Sequence, residues 1–99
     1  MAYEIEFAES VQTHFRALTA RERATVLDTI ERQLLHEPLK ETRRRKPLRP
    51  NPIAPWELRV GPLRVFYEVT GGEAGVVRIL AVGRKRRNAV IIGGKEIQL

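Results

Sequence analysis

The sequence predicts an α+β fold: an antiparallel sheet of about four strands (β-α-α-β-β-β) with a helical hairpin packed on one face. Three stretches point to it. Trp56 to Tyr67 alternates apolar and polar residues around Gly61-Pro62, the pattern of a β-hairpin. Thr19-Ala20-Arg21-Glu22 is a capping box set between two segments of helical periodicity. Val76 to Val82 is nearly all apolar, as in a strand buried on both faces and central in its sheet. With 99 residues the chain has the length of a single domain, residues 1–99.

Each element has its own warrant. Tyr3, Ile5 and Phe7 alternate with Glu4 and Glu6, a first strand with one wet face. Val11, Phe15 and Leu18 form the stripe of a short helix within Glu9 to Leu18. Thr19 caps a second helix, whose apolar positions Ala24, Leu27, Ile30 and Leu34 run to about Leu35, with Pro38 just beyond its end. Pro47, Pro50, Pro52 and Pro55 exclude a helix or a central strand from Glu41 to Pro55, so this reads as a basic loop. Gly61-Pro62 suits a type II′ turn, which pairs Val60 with Leu63, Leu58 with Val65, Trp56 with Tyr67 and Arg59 with Arg64. Thr70 to Gly75 is a Gly-rich turn, and Gly83 ends the apolar strand. Ala89 to Ile92 is a short apolar run, turned by Gly93-Gly94, after which Lys95 to Leu99 either pairs back or trails. The expected core is Ile5, Phe7, Phe15, Leu27, Ile30, Leu34, Leu58, Val65, Tyr67 and Ile79.

Composition narrows the function. Without cysteine there is no disulfide framework, no thiolate metal site and no Cys nucleophile, which fits a reducing cytoplasm. Met1 to Ser10 carries Glu4, Glu6 and Glu9 and lacks the apolar run of a signal peptide, and no stretch approaches the ~20 apolar residues of a membrane span. The expectation is therefore a cytoplasmic protein with no membrane partner. His14 and His36 lie on or beside helices with no carboxylate pattern around them, so neither a metal site nor a cofactor is expected.

The net charge is +6, and it is concentrated. Arg43, Arg44, Arg45, Lys46 and Arg49 crowd the Pro-rich loop, and Arg84, Lys85, Arg86 and Arg87 follow the central strand. Local basicity of this kind is the footprint of a polyanion site. Like charges opposed across a strand pair are destabilising by a few tenths to about 1 kcal/mol, so Arg59 facing Arg64 invites an anion between them. Arg59, Arg64, Arg84 and Lys85 on a rigid sheet can hold an RNA phosphate and stabilise the charge that develops as a 2′-hydroxyl attacks it. Loop cations should be loosely placed and give sequence-independent attraction. Phe66 projects with Arg64, where it either stacks on a base or packs across the strands. Glu57 is the one carboxylate near Arg59, as proton acceptor or as ion-pair partner.

Across its whole length the chain resembles the RelE/ParE superfamily of toxins from bacterial type II toxin–antitoxin systems. The resemblance rests on the strand–helical hairpin–strand order, on Leu58-Arg59-Val60-Gly61-Pro62-Leu63-Arg64-Val65-Phe66-Tyr67-Glu68-Val69, and on Ile79-Leu80-Ala81-Val82-Gly83-Arg84-Lys85. It implies a RelE-like fold and a toxin held by a cognate antitoxin protein. In the RelE branch it implies a metal-independent endoribonuclease that cuts mRNA on the ribosome and so inhibits translation. Arg59, Arg64, Arg84 and Lys85 fall at catalytic positions; Arg43, Arg44, Arg45, Lys46, Arg49, Arg86 and Arg87 are the RNA-binding set beside them. Glu57 stands where that branch has a basic residue, and Ile91 where it has a tyrosine. The alternatives are a ParE-like inhibitor of DNA gyrase and a non-catalytic RNA-binding module of the same fold. The antitoxin is expected to bring an acidic, partly disordered segment that blocks the Arg59/Arg64 face or displaces the C-terminal block.

Overall fold

A computed structural model describes residues 2–72 and 75–98. Strand β1 (Glu4–Phe7) leads into α1 (Val11–Arg16) and α2 (Ala20–Leu34), followed by β2 (Arg45–Pro47), β3 (Trp56–Val60), β4 (Leu63–Thr70), β5 (Val76–Arg86), β6 (Ala89–Ile92) and β7 (Lys95–Gln98). The described residues thus form seven strands in one sheet, ordered β2-β3-β4-β5-β6-β7, with β1 beside β5. The α+β class holds, but the sheet is wider than the expected four strands and one pair in it, β1 with β5, is parallel. The additional strands are short. β2 is an edge strand of three residues, where Pro47 needs no ladder donor. Lys95 to Gln98 pairs back on β6 across the Gly93-Gly94 turn, whose two positive φ angles (58° and 84°) suit a two-residue hairpin. Glu73 and Ala74 of the expected Gly-rich turn lie outside the described residues.

The β3–β4 hairpin has the expected register, Trp56 with Tyr67, Leu58 with Val65, Arg59 with Arg64 and Val60 with Leu63. Gly61 at φ 58° makes the turn. The capping box at α2 is complete: Thr19 Oγ1 accepts from Glu22 N, and Glu22 Oε1 accepts from Thr19 N, both at 3.0 Å. The buried stripe of α2 is Val26, Thr29, Ile30 and Leu34, rotated from the expected one, so that Ala24 faces solvent and Leu27 is 45% exposed. Phe7, the last residue of β1, is also outside the core, 41% exposed, with its ring 6.1 Å from that of Phe15.

The sheet is covered on both faces. The helices bury Leu58, Val65, Tyr67, Val77, Ile79 and Val82 on one side. On the other, Phe66, Ala81, Val90 and Ile92 pack with Ala54 and are flanked by Leu48, Ile53, Leu80 and Ile97. The Pro-rich segment therefore serves as a lid on a second core. Asn51 builds it: the side-chain amide donates to Arg49 O (2.7 Å) and Ala54 O (2.9 Å), while Oδ1 accepts from Ile53 N (2.8 Å) and Ala54 N (3.0 Å).

β5 runs past Gly83, which was expected to end it, to Arg86. A Cβ on Gly83 would lie 2.5 Å from Ile91 O and 2.7 Å from the Val90 and Ile92 side chains, so the bare glycine is what lets β6 come into pairing distance. The segment after α2 is fastened to the sheet by Tyr67, whose buried hydroxyl donates to Pro38 O at 2.7 Å and whose ring stacks on Trp56. Burial pushes the Tyr67 phenol far above its usual pKa, with Arg45 opposing. Tyr67→Phe should leave the Pro38 carbonyl without its donor and lower stability by about 1–3 kcal/mol. Urea unfolding followed by Trp56 fluorescence measures this, and an unchanged midpoint would show the bond to be immaterial.

Candidate functional site

The cations gather where β3 and β5 end and β4 begins, and strand alternation divides them between the faces. Arg59 pairs with Arg64, and Arg64 pairs with Gly83, which places Lys85, two residues on, on the same face. Arg84 pairs with Leu63, a residue of the helix-side core, and so points the other way. Its Nη2 donates to Glu22 Oε2 at 2.7 Å, in the first turn of α2. The four expected catalytic cations thus separate, with Arg59, Arg64 and Lys85 on one face and Arg84 on the other.

The Arg59/Arg64 opposition has an internal answer. Arg59 Nε donates to Glu57 Oε2 at 3.0 Å, and Glu57 is only 7% exposed. Arg64 folds back over the hairpin turn, its Nη1 donating to Gly61 O and Leu63 O, both at 2.8 Å. Burial pushes the Arg64 pKa down, the Glu57 charge opposes this, and Arg59 adds to it. One carboxylate and two carbonyls offset the like-charge pair, so fold stability does not require an anion there. Phe66 is fully buried in the second core and does not stack outward. Ile91 pairs with Arg84 on the helix-side face of the sheet.

The basic loop is firmer than its prolines suggest. Arg45 donates through Nη1 to Gln33 O (2.6 Å) and through Nε to Lys40 O (3.1 Å), tying β2 to the end of α2. Lys46, also in β2, lies 3.5 Å from Glu41. The expectation of loose cations therefore fails for these two, because a strand and two carbonyls fix them. Arg43, Arg44 and Arg49 are exposed, as are Arg86 and Arg87. Arg87 occupies a left-handed position (φ 57°) in the β5–β6 turn.

His14, which the sequence places on or beside a helix, is bonded to the sheet. Its Nδ1 accepts a hydrogen bond from Val82 N at 3.2 Å, on the edge of β5 between the stretches paired with β1 and β6. Its signal was the i+3 spacing from Val11, which turns it toward the sheet. Among the described residues, no group of three or more His, Cys, Asp or Glu is arranged to hold a metal ion. Nor is any described helix long and apolar enough to cross a membrane.

Burial lowers the His14 pKa from the usual 6.5, and the nearby cations Arg84 and Arg86 share its cavity. A folded chain with the lower pKa binds fewer protons than the unfolded chain just below pH 6.5. Stability is then fully present above that pH and falls as pH drops through the window. Thermal melts from about pH 7.5 to 5.5 should show this decline, and His14→Phe should be less stable but flatter across the same range. Parallel slopes for the two proteins would remove His14 as the titrating group.

No curated protein matches the chain. Its fold matches a solved chain from the RelBE2 toxin–antitoxin complex of Mycobacterium tuberculosis, with 28% identity and a TM-score of 0.71, over 86% of this chain and 100% of that one. The family model described as the ParE toxin of the type II toxin–antitoxin system parDE matches residues 5–89, from β1 through the central hairpin to the first residue of β6. A match over that much of the chain, beside a solved relative of similar fold, places it: the chain belongs to the ParE toxin family of type II toxin–antitoxin systems, within the RelE/ParE superfamily.

Proposed function

We propose that this toxin arrests its target by binding it through the Arg59, Arg64 and Lys85 face and does not cut RNA, with DNA gyrase as the target, as the resemblance to the ParE branch implies. The observation that carries the reading is the state of that face. Of the aromatics on β3 and β4, Phe66 is the one that alternation directs to it, and Phe66 is buried. The carboxylate there, Glu57, is held against Arg59. Cleavage by a 2′-hydroxyl needs a proton acceptor and a positioned base as well as cations. Binding needs only the cations and a rigid frame, and the paired strands supply that. An antitoxin is the natural second partner, since the solved relative was captured in a complex with one.

One observation favours the endoribonuclease. Arg59, Arg64 and Lys85 do share a face, and three preorganised cations can stabilise a phosphorane-like charge without a metal. Two assays separate the readings. The purified toxin should inhibit gyrase supercoiling and leave mRNA intact on programmed ribosomes. Arg64→Ala should raise the concentration needed for gyrase inhibition by roughly tenfold or more, as loss of one central charged contact does. Ribosome-dependent mRNA cleavage that persists in EDTA and vanishes in Arg64→Ala would replace this reading with the endoribonuclease.

The exposed loop cations have a lesser part. Changing Arg43 and Arg44 together to Gln should weaken target binding modestly and flatten its dependence on salt, because exposed charges act through screened, long-range attraction. Titrations at two ionic strengths measure this, and an undiminished salt slope would place these arginines outside the interface.

A further inference from the structure

On the helix side of the sheet, away from Arg64, a cavity of about 290 Å³ opens between the end of α1 and the last turns of the sheet. His14, Arg84 and Arg86 are its charged or titratable lining, with Ile91 and the Gly93-Gly94 turn opposite. Among the described residues, no carboxylate belongs to its lining, and Glu22 meets Arg84 from outside it. The tautomer of His14 is set by the fold. Val82 N donates to Nδ1, so the neutral ring carries its proton on Nε2. A Cβ on Gly93 would sit 3.4 Å from His14 Cδ2 and 3.9 Å from Nε2, so this edge of the ring faces the glycine turn at the cavity rim. The side-chain polar groups of the cavity are therefore all donors: one imidazole N–H and two guanidinium groups. Arg84 gives Nη2 to Glu22 and keeps its other N–H groups. Arg86 sits two residues along β5 on the same face.

We propose that this cavity is a phosphate-binding site, taking a tetrahedral oxyanion between the His14 Nε2–H and the guanidinium groups of Arg84 and Arg86. A lining whose side-chain polar groups are all donors is complementary to an anion, and the guanidinium fork matches phosphate oxygens. The site differs from the Arg59, Arg64 and Lys85 face and does not depend on it. A second cavity, about 610 Å³, adjoins it at Arg86 and is lined by Arg87, Asn88, Ala89, Glu96 and Gln98. The carrier of the phosphate has room there, and the amides of Asn88 and Gln98 can both donate to it and accept from it. Free phosphate and the phosphate of a nucleotide share the chemistry the site recognises.

The test is an NMR titration of the full chain with inorganic phosphate at constant ionic strength, with sodium chloride as control. Saturable shifts are expected at the His14 ring, the Arg84 and Arg86 side chains, and the Gly93 and Gly94 amides, while Arg59, Arg64 and Lys85 stay in place. Arg86→Gln, a change at an exposed residue, should weaken binding at least tenfold, and Arg32→Gln on the outer face of α2 should not. Shifts reproduced by chloride, shifts spread evenly over all the arginines, or undiminished binding in Arg86→Gln would each overturn the site. Uridine and adenosine 5′-monophosphates form the second arm. Tighter binding with added shifts at Asn88 and Gln98 identifies a nucleotide as the source, and affinity equal to that of phosphate identifies the free anion.

Discussion

A long strand in the middle of a sheet carries backbone donors and acceptors along both edges, and buried ones must be met. β5 has eleven residues, and its pairing shapes the rest of the molecule. One edge is taken by β4, from Leu63 opposite Arg84 to Thr70 opposite Val76. The other is shared. β1 covers it as far as Ile79, where Ala8 N donates to Ile79 O at 2.8 Å, and β6 resumes at Arg84. Between them His14 accepts the Val82 N–H. A side chain on a six-residue helix thus meets one backbone donor of the central strand in the gap between its two neighbours. The register shift between Phe66 and Tyr67 lies alongside the same gap, and the extra residue, Leu80, packs with the second core.

Because that core covers the sheet's second face, the middle of the sheet is closed on both sides. The cations of the β3–β4 hairpin and of the end of β5 reach solvent where the cores run out, beside the Gly61-Pro62 turn. The distribution of charge follows from packing. Where the cations do meet, the protein answers most of their charge itself, with Glu57 for Arg59, Glu22 for Arg84 and turn carbonyls for Arg64. Lys85, Arg86 and Arg87 extend beyond these internal partners and carry the outward field of this end.

Local chemistry was readable in the sequence, and long-range register was not. The hairpin register follows from two turn residues and a period of two, and the α2 cap from four residues in a row. Leu27 reads as an inside position because its spacing to Ile30 and Leu34 fits one helical stripe as well as that of Val26 does, and only the sheet beneath chooses between them. Arg84 reads as a neighbour of Arg64 because the β4–β5 pairing depends on a bulge at Leu80 that no local signal announces. Phe66 could not be assigned to a core whose other half, Leu48 to Ala54, reads as loop because of its prolines. At the candidate site the residue types were visible, and the face each one occupies was decided by contacts distant in sequence.

The parallel pairing of β1 with β5 has a consequence for synthesis. The Glu6–Arg78 ion pair that accompanies it joins residues 72 positions apart. Contacts of that separation close late, after the entropy of the intervening loop has been lost. A chain growing from its N-terminus holds β1 and α1 without a docking edge until Val76 to Arg86 has emerged. The toxin therefore cannot assume its shape until most of it has been made.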